Sequence, residues 1–299
     1  MLDPRRFRAW VDYYPARATD LYRAGGVAAL LDGAREFRDY QYRRLTAWFF
    51  GLSDDPCRHV RRHVAIARRV FPWRYTDAEP FALYRVDPHE VDRTVVRGPY
   101  QWARVVGGEW ETIPVEETPQ YRALERRFEG DADWEETDLF ERYVERIDRG
   151  KRAWGCDSRS ELRERFARLD EIYADVAAGG YRTQAELAAD ASEERPARDN
   201  NDAVCTAMNE IGVAVDRDGS LVQSKCGFHR LVIARLLGLE AVPVQIRTRH
   251  REWQALREEV RAADGVADLP DRARRHRAHP DLQDVLPEAV RTTRSSPSS

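Results

Sequence analysis

Apolar side chains recur at offsets of three and four through residues 161–178, ELRERFARLDEIYADVAA. Leu162, Phe166, Leu169, Ile172, Tyr173 and Val176 fall on one face, which predicts an amphipathic helix. Ser158 or Ser160 can cap its start, and Gly179-Gly180 can end it. The pattern then changes period. IGVAV (211–215) and SLVQS (220–224) flank Asp216-Arg217-Asp218-Gly219, which predicts a β-hairpin. In FHRLVIARLL every position after Arg230 except Arg235 is apolar, so residues 228–237 predict a helix buried all round that stops at Gly238. AVPVQIRTR (241–249) predicts a strand, and HREWQALREEVRAA (250–263) a closing helix.

Upstream the signals are shorter. FALYRV (81–86), TVV (94–96) and WARVV (102–106) suggest strands, and residues 119–129 and 135–148 suggest helices. Residues 1–75 read as three aromatic-rich helical stretches, the third from Pro56 to Val70. ADASEERPARDNNDA (189–203) is polar throughout and reads as a linker. The organisation expected is a helical N-terminal region (1–78), a mixed strand and helix extension or insertion (79–160), an α+β core (161–263) and a polar, partly disordered tail (264–299).

Composition narrows the setting. Charged residues are 34% and hydrophobic residues 42% of the chain, a globular balance. The net charge of −3 does not favour nucleic acid as a partner. No apolar run approaches the roughly 20 residues that span a bilayer, and MLDPRRFRAW lacks a signal-peptide core. A cytoplasmic protein with no membrane partner is expected. Cys57, Cys156, Cys205 and Cys226 are widely spaced with no CxxC pair, which suggests free thiols. His59 and His63 share a helix face near Cys57, but no fourth ligand lies nearby, so zinc is not expected. The same stretch carries Arg58, Arg61, Arg62, Arg68 and Arg69, a solvated face or a patch for an acidic partner.

The chemistry concentrates at one helix start. Cations are disfavoured at a helix N-terminus, where the N–H groups already carry partial positive charge. Yet Lys225, His229 and Arg230 gather there with Gly227, and lysine occurs elsewhere only at Lys151. A glycine-bearing loop, a helix N-terminus and converging cations suit a phosphate. The alternative is an Arg230 paired with an acid such as Asp216 or Asp218. A free Arg230 predicts that Arg230→Ala weakens ligand binding and spares stability. A paired one predicts the reverse.

The segment IGVAVDRDGSLVQSKCGFHRLVIARLLGLEAVPVQI resembles the core of the ParB/sulfiredoxin-like superfamily. Gly227, His229 and Arg230 match its G-x-[HR]-R loop. Gly238-Leu239 and Val242-Pro243-Val244 match its strand entry, and Gly180 and Gln184 match an upstream helix and turn. The resemblance covers residues 161–249. It implies a nucleotide, CTP, ATP or ADP with Mg2+, held by Lys225, Gly227, His229, Arg230 and Gln184. Phe228 stands where partition proteins carry Glu and where sulfiredoxins carry the nucleophilic Cys, so neither activity is expected. Pro88-His89-Glu90 follows FALYRVD and is similar to a segment of free-serine kinases, which implies Glu90 as a candidate base. Three functions follow as expectations: a nucleotide- or phosphate-binding regulatory protein, a small-molecule kinase or phosphotransferase, and a noncatalytic interaction scaffold.

Overall fold

The computed structural model describes residues 55–97, 102–190, 206–224 and 226–288, with a few positions before residue 35. The chain divides into two compact units, and the one described below comprises Cys57–Asn200 and Cys205–Ser299. The first two N-terminal helical stretches, the polar linker after Asp190, Lys225 and the last residues of the tail lie outside the described residues.

Helix α1 is Pro56–Val70. Four strands follow: β1 Leu83–Val86, β2 Arg93–Arg97, β3 Arg104–Val106 and β4 Glu111–Pro114. Helices α2 Pro119–Phe128, α3 Asp138–Asp148, α4 Arg159–Gly179 and α5 Gln184–Asp190 come next. Then come β5 Ile211–Val215, β6 Leu221–Gln223, α6 Phe228–Leu236, β7 Val242–His250, α7 Arg251–Ala262 and α8 Asp271–Arg275. The class is α+β.

All seven strands belong to one mixed sheet, with β1-β7-β5-β6-β2-β4 as its main path. β5 and β6 form the antiparallel hairpin, and β7 runs parallel to β5, with Ile211 opposite Val244. β7 is long enough to take two partners end to end on its other edge: β1 pairs antiparallel with its first half and β3 parallel with its second. The strands before residue 115 therefore complete the same sheet as those after 210. β4 carried no sequence signal, because ETIP is short and neither alternating nor β-branched throughout.

The periodicities explain the layers. Every residue of β5 is buried, which is why IGVAV reads as an unbroken apolar run and not as an alternation. α6 sits between two cores. Leu231 and Ala234 face the sheet cluster, while Val232 and Ile233 face a helical cluster built from α2, α3 and α4 around Phe166, Leu124 and Trp134. α4 starts under Ser158, whose side chain accepts from Glu161 N, and ends at Gly180 with φ 73°.

The C-terminal stretch departs from the expected polar tail. Leu269, Ala273, Leu282, Val285 and Leu286 are buried in the sheet-side core. Their spacing is irregular, and the segment is anchored by charge. Asp281, fully buried, accepts from Arg249 Nε (2.9 Å) and Trp253 Nε1 (2.8 Å), and Arg257 lies 3.4 Å away. Arg257 also pairs with Asp77 and Asp284. One network thus ties β7, α7, the turn before β1 and the last folded segment together. The cysteines depart from expectation too: Cys57 is disulfide-bonded, while Cys156 and Cys226 are buried and form no disulfide.

Candidate functional site

The start of α6 is built from the β5–β6 hairpin upward. Ser224 N–H donates to Gly212 O (2.9 Å) and Gly212 N–H to Cys226 O (3.0 Å), so the chain leaving β6 stays bonded to β5 until the helix begins. Gly227 then turns it at φ 68° and ψ 19°, the left-handed region. A Cβ at this position would lie 2.7 Å from Ile211 Cα. Only glycine meets both conditions, so the invitation to a ligand is also a packing requirement. Gly227→Ala is expected to cost about 1–3 kcal/mol from strain and overpacking. A urea melt checks it, and an unchanged midpoint would mean the loop is not seated on β5 as described.

α6 is preceded by a glycine, which supplies no side-chain cap. Its first helical bond runs from Leu231 N–H to Gly227 O (3.0 Å), so the N–H groups of Phe228, His229 and Arg230 precede it. The side chains at this end are half-buried. His229 lies against Trp154 (ring centroids 4.9 Å apart) and edge-on to Phe228. Burial first, and then the charges of Arg165 and Arg230, push its imidazole down to about 4. It is neutral at pH 7, so it does not act there as the cation the sequence suggests.

Arg230 has partners. Its Nη1 donates to the Tyr181 hydroxyl (3.0 Å) and lies 3.7 Å from Glu210 Oε2, and its Nη2 is in close contact with Asn209 O. Glu210, at 1% exposure, accepts from Gln184 N–H (2.6 Å) and from Tyr181 Oη (3.5 Å). Burial raises the carboxyl above its ordinary value, against the opposing pull of Gln184 N–H and Arg230. Burial likewise raises the Tyr181 phenol, keeping it protonated as a donor. Two of the residues singled out in the sequence, Gln184 and Arg230, therefore do converge. They converge on the protein's own carboxylate.

The acid is not Asp216 or Asp218. Those two sit in the hairpin turn, where they accept from Arg217 N–H (2.6 Å) and Ser220 N–H (2.9 Å). At about 3.3 Å per residue, β5 carries Asp216 roughly 16 Å from Ile211, beside which α6 begins. Glu90 is exposed in the short turn Pro88–Glu90. The adjacent Val91 O accepts from Arg235 in the last turn of α6 (3.4 Å), which places Glu90 near the opposite end of that helix from Gly227.

Five contributors escaped sequence reading: Tyr181, Asn209, Glu210, Trp154 and Arg165. Tyr181 sits inside GGYRTQ, between two positions already singled out, and Glu210 directly precedes IGVAV. Both could have been found by asking which groups flank the ends of the matching elements. Trp154 and Arg165 could not. Trp154 reaches His229 through a loop in which it adopts φ 48° and Gly155 φ 82°, and Arg165 of α4 lies 4.4 Å over its ring.

Among the described residues no group of three or more His, Cys, Asp or Glu side chains is arranged to hold a metal. His59 is exposed, His63 meets Tyr75 edge-on, and the disulfide takes the Cys57 thiolate. No helix among the described residues is long and apolar enough to cross a membrane. Comparison with protein-family models, curated proteins and solved structures found no match.

Proposed function

We propose that the protein binds the phosphate of a nucleotide at the start of α6 and acts by binding, in a regulatory role. The observation that carries this reading is the glycine-led first turn. Gly227 is left-handed and offers no side chain to cap the helix, and Phe228, His229 and Arg230 present their N–H groups ahead of the first helical bond. Lys225 precedes the turn in sequence and Arg165 lies close to His229, and both cations would favour an anion there, against the carboxylate of Glu210. A neutral His229 can still donate one hydrogen bond. The described residues offer no ready set of ligands for Mg2+, which would enter on the nucleotide's own phosphates. The remoteness of Glu90 favours binding over phosphoryl transfer by that residue.

A second reading, a noncatalytic scaffold, is favoured by the engagement of Arg230 with Glu210. Titration separates the two. With CTP, ATP or ADP and Mg2+, the nucleotide reading expects a saturable heat and a raised melting temperature, about 2.7 kcal/mol of added stability at a hundred times Kd. No response to any of the three leaves the scaffold. Conversion of the nucleotide with phosphorylation of an acceptor would instead make the protein a kinase.

A further inference from the structure

The exposed face of α1 carries large apolar side chains between arginines. Ile66 is 59% and Val70 56% exposed, and just beyond the helix Phe71 is 43% and Trp73 61% exposed, their rings edge to face at 5.9 Å. Arg62, Ile66, Arg69 and Val70 fall on one side at offsets of three and four. The opposite side holds the buried Val60 and Val64, and Arg61, His63 and Arg68 tie the helix to Glu79, Tyr75 and Glu258. No acidic residue occurs in PCRHVRRHVAIARRV. Arg61 is used internally by Glu79 (2.6 Å) and Arg68 by Glu258 (2.9 Å) and Tyr75 O (2.6 Å). Arg62, Arg69 and Arg74 have no carboxylate among the described residues.

From this face we infer a docking surface for an acidic amphipathic helix of a partner protein. Charge and shape of the pattern select the occupant. Ile66 and Val70 lie one turn apart and offer an aliphatic ridge of the kind that packs between two helices. Arg62 and Arg69 flank that ridge two turns apart, where the carboxylates of a helix laid alongside would meet them. A nucleic-acid strand would find phosphate partners but no flat surface over the middle of the face, since the aromatic rings are confined to its end. A lipid surface calls for apolar and charged side chains segregated to different sides, and here they interleave on one. A second copy of the chain would bring like charges together. Tryptophan and arginine are the residues that most often dominate such interfaces.

The test uses the full chain and a fluorescein-labelled synthetic helix, with leucines at helical spacing flanked by glutamates, followed by anisotropy at about 0.15 M salt. Saturable binding is expected. A scrambled peptide of the same composition should bind at least about ten-fold more weakly, as should two surface variants with unchanged melting temperature, Ile66→Ser/Val70→Ser and Arg62→Glu/Arg69→Glu. Trp73→Ala provides a third variant with the same expected direction. The proposal is overturned if the designed peptide fails to bind, or if the scrambled peptide binds equally, since charge alone would then suffice. It is equally overturned if the apolar double variant binds as well as wild type, or if a single-stranded oligonucleotide or anionic vesicles bind more tightly than the peptide.

Discussion

Replacing Asp281 with asparagine should lower the stability of the described unit by about 3–5 kcal/mol, the cost of breaking a buried ion pair by removing one partner. The side chain is fully buried and serves two arginines and an indole at once. Arg257 keeps Asp77 and Asp284 when Asp281 is neutralised. Arg249, at 1% exposure, has Asp281 as its carboxylate partner and would be left as a buried cation with an amide beside it. Burial alone would raise the Asp281 carboxyl, but Arg249 and Arg257 outweigh burial and hold it below the usual carboxylate value. A depressed folded value contributes stability above the unfolded value, near 4, which is lost as pH falls through the folded value. His229 and His279, both pushed down to about 4 mainly by burial, act earlier. Each favours the unfolded chain as pH falls from about 6.5 toward 4. Urea melts across pH should therefore show wild-type stability falling in two stages. Asp281→Asn should be weaker at pH 7 and lose part of the lower stage; the rest belongs to Asp77, which Arg257 holds below the usual carboxylate range against its burial. An unchanged midpoint at pH 7 would show that the C-terminal segment is not anchored as described.

That network also shows where sequence pattern stops being informative. Long helices and apolar runs were legible because their periods are written in single residues: α1, α2, α4, β5, α6, β7 and α7 lie within a few residues of where periodicity puts them. β7 was legible as a strand but not as the sheet's longest, two-partner member, because QIRTRH reads as a strand leaving the core. Gln245, Thr248, Arg249 and His250 are nevertheless all nearly fully buried. Burying them depends on Asp281 and other partners remote in sequence, which no local window reports. The same holds for the tail. Residues 264–286 look polar by composition, yet their few apolar members reach the core once Arg249 and Arg257 draw Asp281 inward.

The candidate site was legible in part for a related reason. Gly227 announced its backbone conformation and Arg230 an anion nearby, while Gln184 entered only through the family resemblance and contributes its backbone N–H. Nothing in the spacing said that the anion belongs to the chain. Glu210 stands 20 residues before Arg230 and 26 after Gln184, and only the sheet brings the three together. His229 was misread as a charge because its charge depends on Trp154 and Arg165, which arrive from a loop and a helix far upstream.

Truncating Arg230 should therefore destabilise the protein, the reverse of what a free phosphate-binding arginine predicts. Arg230→Ala leaves Glu210 with Gln184 N–H at 2.6 Å and a longer contact to Tyr181 at 3.5 Å, at a position where burial already raises the carboxyl. The expected loss at pH 7 is about 3–5 kcal/mol, as for other buried pairs broken on one side. The pH dependence identifies the cause. A carboxyl whose folded value is raised still further favours folding most below its unfolded value, near 4, and this contribution is lost as pH rises through the folded value. The defect should thus be largest at neutral pH and shrink as Glu210 takes up a proton. Adding Glu210→Gln to Arg230→Ala removes the stranded charge while keeping an acceptor for Gln184 N–H, and should recover a large part of the loss. That rescued double variant is also the proper background for testing nucleotide affinity, because folding and binding are then separated. If Arg230 supplies a charge-assisted contact to phosphate as well as its bond to Glu210, the rescued protein should bind nucleotide about ten-fold more weakly than wild type. Equal affinity would assign the phosphate to the backbone of the first turn and Lys225, and Arg230 to the fold. If Arg230→Ala melts at the wild-type urea concentration, the Glu210 pairing contributes nothing to folding, and the arginine is again available to a ligand.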